Sequence, residues 1–119
     1  MCPPPVYPPC VSSVNLHELA EERSVAMHAA IAARLQAEPS LLEAVRARVA
    51  GWLREGTVHS EYARAWNEIL SRPFPELLRA LTDRDERARA LRQVTPFTGI
   101  LDQRERLRIR ADVRQRLGA

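Results

Sequence analysis

Six arginines crowd the last sixteen residues before the terminal alanine, QRERLRIRADVRQRLG, at positions 104, 106, 108, 110, 114 and 116. A guanidinium is a planar, permanently charged fork that grips a carboxylate or a phosphate through two parallel hydrogen bonds. On a helix, Arg106, Arg110 and Arg114 share one face, and Arg104 and Arg108 form a neighbouring ridge. Leu107, Ile109, Val113 and Leu117 leave a narrow apolar stripe on which such a helix can rest. The candidate binding residues are therefore Arg104, Arg106, Arg108, Arg110 and Arg114, presented as a comb to phosphates or to a partner's carboxylates.

The other chemistry-bearing residues converge on nothing comparable. Cys2 and Cys10 flank five of the nine prolines in CPPPVYPPC. Extended as polyproline they stand about 25 Å apart, too far for a disulfide without a sharp turn at Val6-Tyr7. Two thiols are also too few for structural zinc. The stretch reads as a disordered, reduced arm; a proline-rich docking peptide and a redox or metal role are the other readings. His59-Ser60-Glu61 sets a hydroxyl beside a base, with no third group to orient them. The glycines at 51, 56, 99 and 118 are scattered as caps and turns and form no phosphate loop. No metal or other cofactor is expected, and no enzyme activity.

These arginines need a scaffold, and the chain offers an all-α one. It has 119 residues, enough for one domain, rich in Ala, Leu, Arg and Glu and without lysine. We divide it into a flexible arm over 1–14 and a single helical domain over 15–119, a compact bundle of five or six short helices. Asn15 with Glu18 three on predicts a capping box and a helix to about Ala37, with Leu16, Leu19, Ala20, Met27, Ala30, Ile31 and Leu35 on its apolar side. Pro39 ends it. Ser40 and Glu43 predict a second box, ahead of the stripe Leu41, Leu42, Val45, Val49, Trp52 and Leu53. Gly56 is placed to close that helix. Ser60 is the expected cap of a third helix carrying Tyr62, Trp66, Ile69 and Leu70. Pro73 and Pro75 interrupt, and Phe74, Leu77, Leu78 and Leu81 define a fourth. Asp83 or Asp85 opens a fifth, the turn Thr95-Pro96-Phe97-Thr98-Gly99 follows, and Asp102 with Glu105 caps the last. Trp52 and Trp66 are assigned to the core, and His28 to a helix surface or boundary.

Charge is distributed unevenly. Residues 1–83 hold eight Arg against ten acids, and residues 84–119 hold ten Arg against five. A basic end beside an acidic body points to an anionic partner, either an acidic protein surface or nucleic acid. Glu18, Glu21, Glu22 and Glu38 offer an acidic surface of the opposite kind. No apolar run approaches a membrane span, so no membrane partner is expected and the location expected is cytoplasmic.

The blocks LLEAVRARVAGWLREGTVHSEYARAWNEIL and ERARALRQVTPFTGILDQRERLRIR resemble small helical bacterial antitoxins encoded beside a toxin enzyme. The likeness covers about residues 16–110. It rests on Trp52, Val58-His59, Tyr62-Ala63, Ala65-Trp66, Arg89-Ala90-Leu91-Arg92-Gln93 and Pro96-Phe97-Thr98-Gly99. It implies a cognate protein, the toxin enzyme, neutralised by direct binding over its active site or in an inactive form. It carries no catalytic residue. The alternative is a nucleic-acid-binding regulator using the Arg-rich C-terminal helix.

Overall fold

The computed structural model describes residues 15–118, so the arm and both cysteines lie outside the described residues. Those residues are all-helical, with six α-helices and one 3-10 turn and, among them, no strand. We number them α1 (Leu16–Ala37), α2 (Leu42–Glu55), α3 (Ser60–Leu70), α4 (Phe74–Ala80), α5 (Glu86–Arg92) and α6 (Gln103–Arg116). No helix among them is long and apolar enough to cross a membrane.

Local chemistry accounts for the boundaries. The Asn15 side chain accepts from the His17 and Glu18 amides at 2.7 and 3.3 Å, which starts α1. The full box is found at α6. There Asp102 accepts from the Glu105 amide at 2.8 Å and Glu105 returns the bond to the Asp102 amide at 3.2 Å. Asp85, not Asp83, caps α5 through the Ala88 amide at 2.7 Å. Gly56 closes α2 at φ 70°, a left-handed conformation that a side chain would strain, and its amide donates to the Trp52 carbonyl at 2.9 Å.

Two expected caps are corrected. Ser40 caps nothing, because Pro39–Leu41 winds into the 3-10 turn and Leu41 already has helical dihedrals. That leaves Ser40 without the extended backbone an N-cap needs. At α3 the cap is His59, whose Nδ1 accepts from the Glu61 amide at 3.1 Å, and Ser60 is the first helical residue.

The core is built by two antiparallel pairs. In α2 and α3 the order is fixed by Arg46, near the start of α2, donating to the carbonyl of Leu70 at the end of α3. In α1 and α6 it is fixed by Arg34 pairing with Glu105 at one end and Glu22 with Arg116 at the other. Leu35, Val49, Trp66, Leu77, Leu81 and Phe97 are wholly buried between them. The Trp66 indole N–H donates to the Leu91 carbonyl at 3.2 Å, and its ring meets Phe97 edge-on at 5.6 Å. Trp52 is half-buried against this cluster. Leu16 leaves the predicted stripe at 80% exposed, because it lies beyond the last turn of α6. Ala20 and Leu53 are exposed as well.

Candidate functional site

The α1–α6 pair carries the arginine comb, and it divides the arginines of the molecule into two populations. The first is consumed by structure. Arg92 and Arg89 pair with Glu21 at 2.9 and 3.4 Å, and Arg84 and Arg116 pair with Glu22. Arg84 holds the Glu22 carboxyl below the usual carboxylate range, chiefly by a direct hydrogen bond. Of the acidic residues Glu18, Glu21, Glu22 and Glu38, Glu21 and Glu22 are occupied by four arginines of the chain itself, while Glu18 and Glu38 are exposed. Arg48 donates to the carbonyls of Pro96 and Thr98 at 2.7 and 2.8 Å, pinning the 95–101 loop to α2.

The second holds Arg54, Arg64, Arg79 and Arg87, scattered singly over α2 to α5, and the five of the comb, gathered on α6. Arg104, Arg106, Arg108, Arg110 and Arg114 are all exposed, and among the described residues none has a carboxylate within ion-pair distance. The helix does not present them as a single surface. Arg110 and Arg114 border a groove of about 500 Å³ with Leu107, Ala111 and Gln115 on α6 and Arg23 on α1. Arg106, also exposed, lines a separate pocket of about 210 Å³. Arg104 and Arg108 line neither and face outward on their own ridge.

Two members of this site escaped the sequence. Arg23 enters from a helix more than eighty residues away, and its Nε is buried without a partner among the described residues. Leu107 is 55% exposed rather than part of the stripe beneath α6. A signal for it existed: Leu107 precedes Ile109 by two residues, which rotates it about 200° away. The helix sits on Val113, with Ile109 and Leu117 half-buried beside it.

His28 is the other correction, because it is 4% exposed, not at a surface. Its Nδ1 lies 2.8 Å from the Ser24 carbonyl and must donate there, since a carbonyl only accepts. Nε2 then accepts from the Thr95 hydroxyl at 2.9 Å, and Thr95 Oγ1 accepts from the Phe97 amide at 3.2 Å. This chain fixes the loop against α1, and the neutral ring satisfies each of its bonds. Burial lowers the pKa of His28 from its ordinary 6.5; the Ser24 bond opposes this, and the Arg92 charge adds to it.

The pH dependence follows from the sign of that shift. With the folded pKa depressed, the unfolded chain binds more protons below pH 6.5, so stability is full above that value and declines as pH falls. We expect the melting temperature to drop between about pH 7.5 and pH 5.5, and the slope to flatten in His28→Gln. Thermal melts at matched ionic strength check this. Glu22 leaves the window undisturbed, because its lowered carboxyl titrates below 4.5.

Among the described residues no group of three His, Cys, Asp or Glu is placed to hold a metal ion. Compared with known families, curated proteins and solved structures, the chain matches no family model, no curated sequence and no solved structure.

Proposed function

We propose that the chain is a partner-binding protein of the antitoxin type, which neutralises a toxin enzyme by docking the α6 face onto an acidic surface of that enzyme. One observation carries the reading: the clustering of unpaired, exposed arginines on α6. Wherever an arginine serves the fold it has found a carboxylate or carbonyl, as Arg34, Arg48, Arg84 and Arg92 have. The five on α6 have not, nor have the scattered Arg54, Arg64, Arg79 and Arg87, but only on α6 do five stand together beside Arg23 as a ligand for something else.

Leu107 favours protein over nucleic acid as the something else. Protein interfaces join an apolar centre to arginine-rich surroundings, whereas a phosphate backbone has no use for an exposed leucine between guanidinium groups. Groove walls of Leu107 and Ala111 among Arg23, Arg110 and Arg114 have the first composition.

The test is affinity capture from host cells at about 0.4 M salt with nuclease, where exposed charge is screened beyond a few ångströms. Wild type and Arg110→Glu/Arg114→Glu are compared. One stoichiometric protein, retained by wild type and weakened about 100-fold or more in the variant, is the expected result. Equal capture by both overturns the assignment of the face. Recovery of nucleic acid alone, in a parallel capture at low salt without nuclease, moves the comb to the regulator reading.

A further inference from the structure

The groove and the separate pocket follow one another along the α1–α6 pair. On α1, Arg23, Met27 and Ile31 recur every four residues; on α6, Arg106, Arg110 and Arg114 do the same. Arg34–Glu105 and Glu22–Arg116 set these helices antiparallel. Arg23 therefore falls beside Arg110 and Arg114, while Met27 and Ile31 fall beside Arg106. The seam runs from a three-arginine groove to a pocket whose walls are Met27, Ile31, Phe97 and Leu101.

The chemistry changes along that line. In the pocket the polar groups are already satisfied, since His28 and Thr95 bond each other at 2.9 Å. What is left is apolar wall with one cation, Arg106, at the mouth. About 210 Å³ admits one large apolar side chain and little more. At the other end the guanidinium groups call for carboxylates. Arg110 lies about 6 Å along the α6 axis from Arg106, and Arg114 about 12 Å.

We infer that the α1–α6 seam receives an acidic amphipathic helical segment of the partner, with one large apolar anchor in the pocket and carboxylates four and eight residues away on Arg110 and Arg114. Two helices side by side share the same rise, so a spacing of four and eight on the segment matches the arginine spacing on α6. Arg23 closes the groove from the α1 side and confines the carboxylates to it. The inference rests on the partner-binding reading and adds to it which side of the α6 face is used and in what order the partner's residues come.

The probe is a fluorescein-labelled helical peptide of about 16 residues, with Phe at one position and Glu four and eight later, the remainder Ala and Gln. Three controls accompany it. One has Ala for Phe, one places the two Glu on the opposite face, and one is the probe against Thr98→Trp. Thr98 is exposed at the pocket edge, and only its backbone carbonyl is used by Arg48. A tryptophan there covers the pocket without removing a contact of the fold, and an unchanged thermal melt confirms it.

Anisotropy titrations should show the Phe peptide binding about tenfold or more tighter than the Ala peptide, and Thr98→Trp abolishing that difference. Thr98→Ser, which leaves the pocket open, should retain it. Equal affinity of Phe and Ala peptides, indifference to the face carrying Glu, or no binding of the probe overturns the inference. The two proposals fail separately. A captured partner lost in Arg110→Glu/Arg114→Glu but kept in Thr98→Trp preserves partner binding and removes the anchor. Ordered peptide binding without any captured protein does the reverse.

Discussion

Arg92→Ala is expected to destabilise the protein by on the order of 4 kcal/mol, the typical cost of breaking a buried ion pair by removing one partner. Arg92 is 3% exposed. Its guanidinium donates to the Leu81 carbonyl at 3.2 Å, to the Asp83 carbonyl at 2.5 Å and to Glu21 at 2.9 Å. It thereby ties the end of α4 and the start of the α5 loop to α1. Alanine strips two carbonyls of a donor and leaves Glu21, itself mostly buried, with Arg89 at 3.4 Å as its remaining cation. A domain of this size has only about 5–15 kcal/mol in total, so the variant should unfold at a much lower urea concentration.

The double variant Glu21→Leu/Arg92→Met separates two explanations of that loss. If the cost is the stranded carboxylate, removing both charges restores much of the stability, because a buried pair and an apolar replacement are of similar worth. If the carbonyls dominate, the double variant stays as unstable as the single one. Equilibrium urea unfolding of all three proteins decides it, and an Arg92→Ala midpoint equal to wild type would refute the structural role altogether.

Arg92 also shows where the sequence stops being informative. The helices were legible because their ends are written locally: Asn15 and Asp102 as caps, Gly56 at the close of α2, Pro39 and Pro73 as interruptions. The comb was legible for the same reason, since spacing along one helix needs no knowledge of any other. What fails is any property settled between helices. Arg92 and Arg108 look alike in the sequence, each an arginine among arginines, yet one is buried on Glu21 and the other faces solvent. His28 falls on the side of α1 that meets the 95–101 loop, and nothing near it in the chain announces Thr95 as its partner. Ser40 and Ser60 failed differently. Both sit beside a residue that took the role first, Pro39 by starting a tighter turn and His59 by offering its own ring nitrogen.

Phe97→Ala should cost about 3–5 kcal/mol, the range for removing a fully buried aromatic ring. Phe97 is 1% exposed and touches both halves of the molecule. Its ring makes T-shaped contacts with Trp66 in the core of α2 and α3, centroids 5.6 Å apart, and with His28 on α1, centroids 6.3 Å apart. The ring is also a wall of the 210 Å³ pocket, so the core and the proposed anchor site share one side chain. Two variants tell the roles apart. Phe97→Ala opens a cavity between the helix pairs, and urea unfolding should show a substantial part of the stability gone. Phe97→Leu keeps more of the volume and should cost only about 1–2 kcal/mol, leaving a folded protein whose pocket wall has changed shape. If the pocket seats an apolar anchor, Phe97→Leu must weaken the Phe peptide while leaving the Ala peptide as it was. Weakening of both alike would mean that the loop, and not the pocket, had been disturbed. The arginine comb would then stand as a surface without an anchor, and its partner would be recognised by charge alone.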